Sequence, residues 1–135
     1  DSLPSRGLGD VYKRQGGEPL LQLDSDLISA FKEEGFYIAI ETNGTLPAPE
    51  GIDWICMSPK ANTNIKLKSG NEIKVIHPQE NYDPNDFMSF DFDDFYIQPM
   101  DSKSYSKNLK ASLDFCMQNP RWSLSLQTHK ILGIK

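Results

Sequence analysis

From residue 16 onward, short apolar runs alternate with segments of helical period, and this alternation constrains the fold more than any other feature. Phe36 to Ile40, Trp54 to Met57, Glu72 to His77, Asp94 to Gln98 and Arg121 to Gln127 read as five strands, rich in branched and aromatic residues. Ile73, Val75 and His77 share one face of the third, and Trp122, Leu124 and Leu126 alternate inward in the last. Asp24 or Ser25 caps a helix whose inner face is Leu27, Ile28 and Phe31, with Gly35 placed to end it. Tyr105, Leu109, Leu113 and Cys116 fall at helical spacing, so 104–118 is predicted as a long helix with those residues in the core. Residues 80–93, ENYDPNDFMSFDFD, read as an acidic, solvated crossover. Strands interleaved with helices specify an α/β fold with a parallel sheet, open or curved into part of a (β/α) barrel.

Composition sets the class. The chain has 135 residues with 14 Lys+Arg against 19 Asp+Glu, a formal charge of −5, which argues against a nucleic-acid or membrane-surface partner. No apolar run approaches the roughly 20 residues that span a bilayer, and the N-terminus does not resemble a signal peptide. A cytoplasmic, globular chain is the expectation. Cys56 and Cys116 sit in apolar surroundings and read as reduced, buried small hydrophobes. His77 reads as a satisfied strand histidine.

The first fifteen residues, DSLPSRGLGDVYKRQ, do not match the rest of the chain. They show neither helical nor strand period, and Lys13, Arg14 and Gln15 are wrong for a strand buried on both faces ahead of the glycine loop. Residues 1–15 are therefore expected to be a non-native tail, and 16–135 part of one domain.

In parallel α/β sheets the ligand site lies beyond the carboxyl ends of the strands. Here those ends carry Gly16-Gly17-Glu18-Pro19, Glu41-Thr42-Asn43-Gly44, Ser58-Pro59-Lys60, Gln98-Pro99-Met100-Asp101 and Gln127-Thr128-His129-Lys130. Adjacent glycines admit a ligand against the backbone. Glu18 and Asp101 are suited to an ammonium group or ribose hydroxyls, and Lys60 to a carboxylate. Each cluster alone reads as a turn; five on one rim read as a site. No Ser-His-Asp or Cys-His pattern and no zinc spacing is present in the sequence.

Read in order, GGEPLLQLD, ETNGT, WICMSPKA, QPMD and NPRWSLSLQTHKILGIK resemble the 7-carboxy-7-deazaguanine synthase family, radical S-adenosylmethionine lyases of queuosine biosynthesis. The resemblance runs from Gly16 to Lys135 and implies the later strands and helices of a partial (β/α) radical-enzyme barrel, a C-terminal fragment. It implies conversion of 6-carboxy-5,6,7,8-tetrahydropterin to 7-carboxy-7-deazaguanine with loss of ammonia, using S-adenosyl-L-methionine, a [4Fe-4S] cluster and Mg2+. Gly17 and Glu18 would meet the methionine moiety; Ser58, Pro59 and Lys60, with Gln98, Pro99, Met100 and Asp101, would line the cofactor site. Glu41 and Asn43 would be further contacts there. His129 and Lys135, through its terminal carboxylate, would face the pterin. So would position 15, where the family has Thr and this chain has Gln15. An electron donor such as flavodoxin and a homodimer are also implied.

One departure is decisive for activity. The family's C-x-x-x-C-x-x-C cluster motif is missing from this sequence, and Cys56 and Cys116 cannot replace it at their spacing. The Mg2+ ligand belongs to the same missing part. The 135-residue chain is thus expected to catalyse nothing by itself. Two rivals share some of these features. A radical-enzyme activase explains Gly-Gly-Glu-Pro but not the QTHK ending, and a non-catalytic module binding a nucleotide or S-adenosylmethionine requires a native tail.

Overall fold

The computed structural model describes the backbone of residues 11–14 and residues 18–126 in full. Six strands form one sheet: β1 (Val11–Arg14), β2 (Tyr37–Thr42), β3 (Trp54–Met57), β4 (Ser69–His77), β5 (Asp91–Pro99) and β6 (Trp122–Leu124). They lie in chain order and every neighbouring pair is parallel. That sequential order is the order of a (β/α) barrel; a doubly wound sheet would reverse at a switch point. Helix α1 (Ser25–Glu33) connects β1 to β2, and α2 (Tyr105–Gln118) connects β5 to β6. Asp24 caps α1, its carboxylate accepting the Leu27 amide at 2.8 Å, and Gly35 follows at φ +83°.

The two faces of the sheet differ. On one, Ile38 and Ile40 pack with Leu20, Leu23 and Ile28. Farther along, Met57, Ile73, Val75, Phe95, Ile97 and Trp122 form a second cluster, with Phe115 and Cys116 of α2 against it. The opposite face is polar: Glu41, Cys56, Glu72 and Asp94 register alongside one another across four strands, and Lys74 registers with Tyr96 and Ser123. A polar face opposite two apolar clusters suits the inside of a curved sheet that faces a ligand.

Four sequence expectations are corrected. Val11–Arg14 does form a strand, pairing in parallel with Tyr37–Ile40. An end strand is held by backbone hydrogen bonds and does not need an apolar run on both faces. Secondly, α2 does not turn Leu113 inward. Leu113 is 42% exposed, and the buried positions are Asn108 and Ser112. Asn108 Nδ2 donates to the Met100 carbonyl at 3.0 Å, and Ser112 Oγ lies 3.4 Å from the His77 carbonyl, so small polar side chains seat the helix on the strand ends. Thirdly, 80–93 is solvated only in part: Glu80, Asp83, Asp86, Asp91 and Asp93 are exposed, but Pro84, Phe87 and Phe92 are buried and Tyr82 is half-buried, because its aromatic residues pack into the second cluster. Finally, the last strand ends at Leu124, and Leu126 is exposed rather than inward.

Candidate functional site

Strand β4 lies between β3 and β5, so the segments leaving β3 and β5 flank its end. Ser58, Lys60 and Pro59 after β3, with Gln98, Met100 and Asp101 at and beyond the end of β5, line one cleft of about 550 Å³. Two of the clusters chosen from sequence are thereby brought together. Ala61, Ile76 and Gln79 complete the lining. Pro99 is buried at the end of β5. The cleft opens at the carboxyl end of the polar face, where Ile76 and Gln98 register side by side.

The walls are held by bonds from elements that sequence reading did not assign to the site. Tyr82 Oη donates to the Pro59 carbonyl at 3.0 Å. The Met100 amide donates to the His77 carbonyl at 2.9 Å, and Asn108 holds the Met100 carbonyl from the other side. Gln79 Nε2 donates to the Ile76 carbonyl at 2.7 Å. Burial pushes the Tyr82 phenol far up, so it stays a neutral donor. Lys60 and Asp101 place opposite charges on one cleft, a chemistry suited to a ligand that carries a carboxylate, an ammonium group and sugar hydroxyls.

Glu18, Glu41 and Asn43 are not among the cleft-lining residues. Glu18 caps the short 3₁₀ turn Pro19–Leu21, and its carboxylate accepts the Leu20 amide at 2.9 Å. The same carboxylate accepts the Thr42 hydroxyl at 2.7 Å and the Asn43 amide at 2.9 Å. Among the described residues three donors meet a group with roughly four acceptor positions. Asn43 Oδ1 accepts the Thr45 amide and hydroxyl at 3.0 and 2.7 Å, a local turn. Glu41 lies on the polar face beside Cys56. Gln15, Gly17, His129 and Lys135 lie outside the described residues.

His77 differs from its sequence reading. Its ring faces Phe115 at 5.2 Å between centroids, and its buried Nδ1 has no hydrogen-bond partner among the described residues. Burial lowers its basicity, against the opposing pull of Asp83. The strand pairs His77 with Pro99, whose ring offers no donor or acceptor, which explains the orphaned nitrogen.

The cysteines are free, Cys56 buried and Cys116 half-buried. Burial first, then Glu72, pushes the Cys56 thiol up to about 12, and burial raises Cys116 as well. A cluster ligand must be a thiolate, and these two lie on β3 and α2, so they do not fit an iron–sulfur cluster. Among the described residues no group of three or more His, Cys, Asp and Glu could hold a metal ion. No helix among them is long and apolar enough to cross a membrane.

No family model matches the chain. Among curated proteins it is 52% identical over 119 residues to the 7-carboxy-7-deazaguanine synthase of Burkholderia multivorans, covering 88% of this chain and 57% of that protein. It is 48% identical over 120 residues to the Bradyrhizobium diazoefficiens synthase, covering 89% of this chain and 57% of that protein. The Bacteroides thetaiotaomicron synthase is 39% identical, covering 89% and 63%. The crystal structure of QueE from Escherichia coli shares the fold, with a TM-score of 0.62 at 24% identity over 87% of this chain and 56% of that one. At these identities the chain is similar to the 7-carboxy-7-deazaguanine synthases, and it spans about 57% of the length of the first two relatives.

Proposed function

We propose that this chain supplies the S-adenosylmethionine-holding part of a radical lyase that converts 6-carboxy-5,6,7,8-tetrahydropterin to 7-carboxy-7-deazaguanine and ammonia. The observation that carries the reading is the single cleft that joins Ser58-Pro59-Lys60 to Gln98, Met100 and Asp101. Bound there, S-adenosylmethionine would supply hydrogen-abstracting radical chemistry only when an electron from a cluster held by other residues cleaves it; this chain's own part is binding and orientation. Lys60 meets the ligand carboxylate as a point charge, Asp101 accepts from hydroxyl or ammonium groups, and the Ile76 and Met100 side chains give apolar contact. Glu18 turns its carboxylate toward the methionine ammonium, beside Gly17. Glu41 and Asn43 close the same side.

The described cysteines do not fit the [4Fe-4S] cluster, so no step runs through it, and the cluster and Mg2+ belong to residues this chain does not supply. His129 and Lys135 face the pterin, as does position 15. An electron donor such as flavodoxin, a homodimer and a cytoplasmic setting complete the reading. Residues 1–15 remain a non-native tail in this account. In support, the Burkholderia and Bradyrhizobium matches run over 119 and 120 residues, the length of chain that comes after residue 15.

Equilibrium dialysis of S-adenosylmethionine against the 135-residue chain tests the cleft. Saturable binding is expected, and Lys60→Ala should weaken it about tenfold, the effect of losing one charge-assisted contact. Unchanged affinity in Lys60→Ala, with circular dichroism showing both proteins folded, would contradict the assignment.

A further inference from the structure

Three of the polar clusters meet at one residue to which the sequence reading gave no role of its own. Thr42, the last residue of β2, is 3% exposed. Its hydroxyl lies 2.7 Å from both oxygens of Glu18 and accepts the Gly44 amide at 3.2 Å. Its carbonyl accepts the Ser58 amide at 2.8 Å, at the point where β3 runs into the cleft-lining segment. A hydroxyl has one proton to give. Since the acceptor is a carboxylate, that proton goes to Glu18, while the Gly44 amide fixes the hydroxyl from behind.

We infer that Thr42 is a positioning residue for ligand binding: its hydroxyl aims the Glu18 carboxylate at the ligand's ammonium group, and its carbonyl holds the Ser58 end of the cleft in register with it. This rests on the S-adenosylmethionine reading above. Glu18 reaches across 24 positions of sequence to Thr42 and 25 to Asn43, so its carboxylate ties the start of the 3₁₀ turn to the end of β2. The Leu20 and Asn43 amides each take one oxygen, and only the Thr42 hydroxyl lies against both. Replacing the hydroxyl with a methyl leaves one amide on each oxygen but removes the donor that bears on both, so the carboxylate loses one of the three bonds from described residues that set its aim. Buried in nearly the same volume, valine tests the hydroxyl with little change in packing.

The test compares two ligands in the 135-residue chain. S-adenosylmethionine carries the ammonium group; 5′-methylthioadenosine keeps the nucleoside and sulfur but lacks it. Thr42→Val should weaken S-adenosylmethionine about tenfold while changing 5′-methylthioadenosine less than about threefold, and Thr42→Ser, which keeps the hydroxyl, should restore the first. A merely structural role would lower both affinities together, and a parallel loss, or no loss, overturns the inference while leaving the cofactor reading standing. Wild-type chain that is folded by circular dichroism and binds neither ligand overturns the cofactor reading and the inference with it. Should Thr42→Val not fold, Thr42→Ala, with room for a water at the hydroxyl position, takes its place in the same comparison. Failure of both to fold assigns the hydroxyl to the fold alone and overturns the proposal.

Discussion

Trp122→Ala is expected to destabilise the chain by about 3–5 kcal/mol, the range for removing a fully buried large aromatic. Trp122 is 2% exposed and sits edge-on to Phe95 at 5.3 Å and to Phe115 at 6.1 Å. Its indole N–H donates to Asn85 Oδ1 at 3.1 Å, and Asn85 in turn donates to Asn119 at 3.0 Å. One side chain therefore ties β6, β5, α2 and the segment before β5 together. Truncation leaves a cavity that the two rigid rings of Phe95 and Phe115 cannot collapse into, and strands the Asn85 acceptor at its edge. Urea denaturation followed by circular dichroism gives the number. A loss below about 1 kcal/mol would mean that the second cluster is not packed as described, since that is the range of ordinary surface changes. Because β5 ends in the cleft-lining residues, the same variant should lose ligand affinity only as far as it loses folded protein.

Gly44→Ala should cost roughly 2–4 kcal/mol, from two effects that add. Gly44 holds φ +79°, the left-handed region that an L side chain enters at a cost of roughly 1–2 kcal/mol. A Cβ there would also strike the Met57 sulfur, with Met57 Cγ at 3.0 Å and Ile65 Cγ2 at 3.4 Å. Met57 is fully buried, so it has no open space to swing into. The Gly44 carbonyl accepts the Lys66 and Leu67 amides at 2.8 and 3.0 Å, which prevents the turn from relaxing as a unit. Gly35 separates the two effects: it has φ +83°, but a Cβ added there would meet nothing within 4 Å. Gly35→Ala should thus cost about 1–2 kcal/mol from the backbone alone. Equal losses for the two variants in urea denaturation would show that the contact with Met57 contributes nothing.

The five strands past residue 15 and α1 were legible because burial there largely follows the simple periods, and α2 was legible in its extent. Ile73, Val75 and Ile97 are fully buried, and α1 sets Ile28 inward behind its Asp24 cap. The inward face of α2 was not legible, since Asn108 and Ser112 reach the Met100 and His77 carbonyls, which sequence cannot locate. β1 was misread for a related reason: a strand at the end of a sheet is held by its backbone, and side-chain pattern says little about it.

For the site, residue types at strand ends identified Ser58-Pro59-Lys60 and Gln98 to Asp101, and the strand order brings these two groups to one cleft. Thr42 was passed over because its importance comes from a partner 24 residues away. The polar face did leave a signal in the sequence. Glu72, Lys74 and Ile76 alternate with buried Ile73 and Val75, a period-two pattern that places two charges opposite the core. Tyr82 left none, since a tyrosine amid acidic residues gives no hint of the Pro59 carbonyl it reaches.

The central claim is that one ligand, S-adenosylmethionine, spans the segments after β3 and β5. The most direct measurement is the change in backbone amide resonances of the 135-residue chain on adding it. Shifts at Ser58, Lys60, Ala61, Gln98, Met100 and Asp101, with α1 and the Asn85–Asn119 contact unmoved, are the result this account predicts. Shifts confined to other parts of the sheet, or a folded chain whose spectrum does not move at all, would contradict it.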